Sequence, residues 1–158
     1  MGYADYTYAG TAREMASRVY AEERSPDQNV WFQGHWGFQY YMEQSGGTHM
    51  DWRFTRGEDV PKPAEGDTIV WWVAQYDTEF PTFFNMANRE LVEIQASSWV
   101  SIMSKEEGAG FYWSHQGPLP YRFSSAGPQK FWVFTVGENP YARLQVKKPP
   151  QEKPRVVE

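Results

Sequence analysis

Apolar residues first recur at helical spacing over Ala12, Met15, Ala16, Val19 and Tyr20, while Arg13, Glu14, Arg18, Glu22 and Glu23 take the opposite face. Thr11-Ala-Arg-Glu14 has the form of a capping box, so a helix is predicted to start at Thr11, and Ser25-Pro26-Asp27 to end it. Asn29 to Gln33 is short, rich in β-formers and bounded by turn residues. It predicts a buried strand that runs into Gly34-His35-Trp36-Gly37. A second helix begins there, with Trp36, Tyr40 and Glu43 on one stripe and Phe38, Tyr41 and Met42 on another. Apolar nearly all round, it is expected to be largely covered, and Gly46-Gly47 gives it a left-handed stop.

Pro61 to Asp67 reads as a turn-rich loop, and Thr68 to Val73 as a central strand of β-branched and aromatic residues. The stretch from Pro81 to Arg89 is ambiguous. Leu91 to Ser97 reads as a strand, Trp99 to Met103 as a short element of undefined type, Gly108 to Tyr121 as an irregular ring-rich loop, and Phe131 to Val136 as a closing strand. Helix, strand, helix, strand implies a parallel pair with a crossover. The expected class is therefore α/β: a mixed, partly parallel sheet flanked by helices in a single domain over residues 1–146. From Lys147, KKPPQEKPRVVE has too little apolar surface to offset the cost of ordering it, so residues 147–158 are expected to form a disordered tail. A length of 158 residues suits one core rather than two.

Aromatic residues change this picture. They make up 18% of the chain, with eight Trp, ten Tyr and ten Phe, more than a core alone calls for. Some are expected at a half-wet surface: a sugar site, a protein interface or a membrane headgroup layer. A formal net charge of −5 argues against nucleic acid, which needs a clustered basic face. Without cysteine there is no disulfide, thiolate catalysis or Cys-ligated zinc, but location stays open. No stretch approaches the ~20 apolar residues of a membrane span, and MGYADYTYAG lacks the pattern of a signal peptide.

Candidate chemistry is sparse. His35, His49 and His115 lack the spacing of a helical zinc site, and no metal or cofactor is expected. Gly34-His35-Trp36-Gly37 sits where a strand meets a helix N-terminus, a place that can hold phosphate. It lacks the dinucleotide and phosphate-loop patterns, however, and Trp36 would crowd a pyrophosphate. The plainer reading is that Gly34 and Gly37 allow close strand-to-helix packing around the Trp36 ring. Glu43, Asp51, Asp59, Glu65, Asp67, Asp77 and Glu79 could supply an acid and base for a glycosidic bond, but most read as loop or cap carboxylates, and Asp67 as a turn residue. The loop with Phe111, Tyr112, Trp113, His115 and Tyr121 is the candidate binding surface, since its prolines present neighbouring rings on a fixed backbone. The same rings could instead plug the end of a sheet.

Several segments together resemble a known family: Trp31-Phe-Gln-Gly-His-Trp-Gly-Phe-Gln-Tyr-Tyr-Met42, Gly46-Gly47, Gly66-Asp-Thr-Ile-Val70, Ala109-Gly-Phe-Tyr112 and Gly117-Pro-Leu-Pro120. They resemble the C-terminal part of bacterial dolichyl-phosphate-mannose protein mannosyltransferase-like membrane proteins, glycosyltransferase family 39. Ala4-Asp5-Tyr6 looks like the segment after the last membrane span. The resemblance implies a polytopic parent that takes sugar from a polyprenyl-phosphate carrier at the outer membrane face, with its catalytic acid in an early loop that has no counterpart here. No catalytic residue is carried over, and Gly34, His35, Trp36, Gly37, Tyr40 and Asp67 are expected to be structural. The implied role is a non-catalytic extracytoplasmic (periplasmic) domain. Its partners would be the membrane-embedded part of the same polypeptide and a glycan acceptor or polyprenyl-phosphate sugar. Trp71-Trp72 departs from the family pattern, which leads one to expect a turn there. The rival reading is a free-standing carbohydrate-binding module or small sugar-active enzyme that uses the loop over residues 110–121.

Overall fold

The computed structural model describes residues 2–21, 28–34, 36–73, 85–96, 99–104, 107–110, 117–124 and 127–141, with the backbone alone for 2–5, 8, 36 and 103. In chain order the elements are α1 (Gly2–Ala21), β1 (Val30–Gln33), α2 (Trp36–Gln44), β2 (Thr48–His49), a 3-10 helix (Trp52–Arg56), β3 (Thr68–Trp72), β4 (Met86–Ile94), β5 (Met103–Ser104), β6 (Ala109–Gly110) and β7 (Gln129–Val136). Five strands form one sheet in the order β2-β1-β3-β7-β4. β1 runs parallel to both β2 and β3, and β7 runs antiparallel to β3 and β4. The class is the expected one, a mixed and partly parallel sheet with two helices.

Side chains alternate across this sheet and both faces are covered. Val30, Phe32, Val70, Trp72 and Phe131 pack with Ala12, Met15, Ala16 and Val19 of α1 and Phe38 and Met42 of α2. Trp31, Ile69, Trp71, Phe134 and Val136 face the other way, onto Met50 and Phe54. This explains why β1 and β3 read as unbroken apolar runs: each is buried on both faces. Trp71 and Trp72 continue β3, where the family pattern suggests a turn, and both are buried. β4 begins at Met86, five residues before the predicted start. Asn88, at φ +48°, lies in a bulge that shifts the register between Ala87 and Glu90.

Three expectations need correction. α1 begins at Gly2, so Thr11 is a mid-helix residue, 2% exposed, and not a cap. A capping box marks a start only where the preceding residues cannot extend the helix. The upstream run of Ala and Tyr can, which places Ala4-Asp5-Tyr6 inside α1 rather than before it. α2 is covered on one face only: Phe38 and Met42 are fully buried, whereas Tyr40 is 58% exposed. The loop over 108–121 contains β6, and Ala109 also bridges Leu119. The predicted helix stop at Ser25-Pro26-Asp27 and the tail over 147–158 lie outside the described residues.

Candidate functional site

Gly34 closes β1 ahead of α2. A Cβ on Gly34 would lie 2.4 Å from the Phe38 ring and 3.4 Å from Trp72, so glycine is required by close approach. Gly37 has open space around it. The ring packed into the junction is Phe38, which contacts Phe32, Trp72 and Phe131 at centroid distances of 5.4–5.8 Å. These rings fill the space near the carboxyl ends of β1 and β3, where an open α/β sheet holds a nucleotide. The sequence argument assigned that packing to Trp36, whose side chain lies outside the described residues, as does His35. α2 then closes on the predicted glycines. The amide of Gly46 donates to Glu43 O (3.0 Å) and that of Gly47 to Met42 O (2.8 Å), with Gly46 at φ +96°, which is a Schellman stop.

At the opposite end of the parallel strands, Asp67 is 4% exposed. Its Oδ1 accepts from the Asn29 backbone amide (3.1 Å) and Asn29 Nδ2 (3.2 Å). Its Oδ2 accepts from Trp31 Nε1 (2.8 Å) and the Ala64 amide (2.9 Å). A carboxylate offers about four acceptor positions, and here four N–H groups take them. All four donors come from within the fold, so this group ties the strand starts together. Gly66, at φ +88°, makes the turn into β3, and its amide donates to Val136 O (2.9 Å). The Tyr141 hydroxyl donates to Pro63 O beside this cluster. Burial first, and the Asp67 charge second, push that phenol above the ordinary tyrosine range.

The other carboxylates weighed for acid–base work, where the structure describes them, are exposed or bonded to a neighbouring arginine. Asp51 accepts from the Arg53 amide (3.0 Å) and its guanidinium (2.6 Å), and those hydrogen bonds hold its carboxyl below the usual range. Glu43, Asp59 and Glu65 are exposed, and Asp77 and Glu79 lie outside the described residues. No group of three or more His, Asp or Glu able to hold a metal occurs among the described residues.

Among the described residues, three exposed aromatic side chains meet at one place. Trp99 (67% exposed) and Phe123 (71%) stack with ring planes 8° apart and centroids at 5.5 Å. Tyr121 (41%) meets Phe123 edge-on at 5.4 Å, and Leu119 is also exposed. Paired backbone bonds between Ser101 and Arg122, both 2.9 Å, hold the two segments together, and Ser101 Oγ donates to Ser124 O at 3.1 Å. Of the loop residues proposed as a binding surface, Tyr121 belongs to this cluster. Phe111, Tyr112, Trp113 and His115 lie outside the described residues. Trp99 and Phe123 were not singled out from sequence. The Tyr121-Arg-Phe123 alternation was the signal available for the second ring, and nothing local marks Trp99. Tyr40 contacts Tyr41 on α2 and is not part of the cluster.

No family model, curated protein or solved structure matches the chain. Among the described residues no helix is long and apolar enough to cross a membrane.

Proposed function

We propose that this chain is a non-catalytic, extracytoplasmic accessory domain of a polyprenyl-phosphate-sugar-dependent membrane glycosyltransferase. One observation supports the reading: the separated segments that resemble the family come together in two groups. The Trp31–Met42 run bonds to Asp67 through Trp31 Nε1 (2.8 Å) and to Gly47 through Met42 O (2.8 Å). Gly110 in turn donates to Leu119 O at 2.7 Å. Scattered matches that join pairwise are what a signature of one folded unit produces. The saturated Asp67 carboxylate favours a supporting role over a catalytic one.

The open reading frame upstream of Tyr3 tests the proposal. Several apolar stretches of about 20 residues each are expected there. A stop codon or a cleavable signal peptide in that place overturns it and leaves a free-standing module, a reading that the exposed Trp99–Phe123 stack favours.

A further inference from the structure

We infer that the Trp99–Phe123–Tyr121 surface is a binding platform for the pyranose rings of a neutral glycan. The inference deepens the proposed function and rests on it only for the source of that glycan. Stacking on Phe123 covers one face of the Trp99 indole, so the 67% of its surface left exposed includes the opposite face. Phe123, 71% exposed, is presented in the same way. A free aromatic face carries the negative lobe of the ring quadrupole. A pyranose offers a flat patch of weakly positive C–H bonds of matching size, and Tyr121 adds a hydroxyl at the rim. The paired Ser101–Arg122 backbone bonds fix the rings before a ligand arrives, which lowers the ordering cost of binding.

The chemistry around the rings selects this ligand over others. Arg122 is the single charged residue in the segments 99–104 and 117–124, so these segments offer a phosphorylated or acidic sugar no cluster of cations. With a net charge of −5 the chain is repelled by anionic lipid, and among the residues of segments 99–104 and 117–124 only Arg122 is basic, short of the several basic residues that membrane-binding surfaces use. A protein partner needs roughly 800 Å² on each side. Among the described residues, the other large exposed apolar side chains, Tyr6, Tyr40 and Leu91, belong to α1, α2 and β4.

The test is a titration of the full chain with mannotetraose, cellotetraose and chitotetraose, followed by tryptophan fluorescence and aromatic NMR shifts. At least one sugar should bind saturably in the millimolar range or tighter. Trp99→Leu and Phe123→Ala should weaken that binding about tenfold or more, while Trp99→Phe keeps most of it, because a flat ring rather than bulk is needed. Tyr40→Ala, at an exposed ring elsewhere, should leave it unchanged. All three substituted residues are exposed, and unchanged circular-dichroism melts will show that the four variants fold. No binding by any of the three sugars, equal binding by Trp99→Leu, or a Trp99-dependent response to phosphatidylcholine or phosphatidylglycerol vesicles or to self-association instead of sugar overturns the inference. An upstream reading frame without spans, alongside retained sugar binding, removes the transferase and leaves the platform standing.

Discussion

Gly34 and Gly37 look alike in sequence, and the fold treats them differently. Gly34→Ala puts a methyl group 2.4 Å from a fully buried ring, and Phe38 cannot swing away because Trp72 and Phe131 hold it. The cost is expected to be about 1–3 kcal/mol. Gly37→Ala meets nothing and sits in a helix, so it should be neutral or stabilising by up to about 1 kcal/mol. Urea midpoints at equal slope will check both, and two equal losses would mean that the junction is packed some other way. Tyr141 gives a second residue-scale expectation. Its phenol is neutral when folded and its proton is held more tightly than in the unfolded chain, so its contribution is whole below about pH 10. That contribution is lost as pH rises beyond. Tyr141→Phe should flatten the fall in stability above pH 10, and absorbance at 295 nm should show Tyr141 ionising among the last of the ten tyrosines.

At the scale of elements, α1 is the case where local signals and fold diverge. The stripe Ala12, Met15, Ala16, Val19 was legible because burial requires it. The start was not: a Thr three residues before a Glu occurs inside helices as well as at their ends. Gly10→Ala separates the two accounts. In mid-helix, with nothing within 4 Å, it should stabilise by roughly 0.5–1 kcal/mol. Outside a helix that starts at Thr11 it should gain nothing of that kind, and thermal melts will tell them apart. β2 went unseen because two residues, Thr48 and His49, are too few for any periodicity. β4 was half seen because its Asn88 bulge breaks the alternation that marks a strand. The same bulge, with Arg89, Glu90 and Glu93 around it, blunts an edge of the sheet.

For the whole molecule, the class was readable because helix and strand patterns alternate and the apolar runs of β1 and β3 imply burial on two faces. The candidate surface was readable only in part. Tyr121 was marked by its prolines, but Trp99 reaches Phe123 across 24 positions of chain, through backbone pairing that no spacing reveals. Asp67 was read as a turn residue from its neighbour Gly66, and its four donors come from segments that only the fold brings together.

That carboxylate couples places far apart along the chain: Asn29 and Trp31 at the start of β1, Ala64 in the preceding loop and, through the Asp67 carbonyl, Val136 at the end of β7. If any one of these strand ends lifts away, a buried anion loses partners it cannot replace, so none is free to fray alone. Deuterium uptake should therefore be concerted. The amide protons of Asn29, Ala64, Gly66 and Val136 are expected to exchange with one shared opening free energy, as a single cooperative unit. In Asp67→Asn that value should fall for all four together. Four separate values in the parent chain would mean that each segment opens by itself and that the carboxylate merely sits among them.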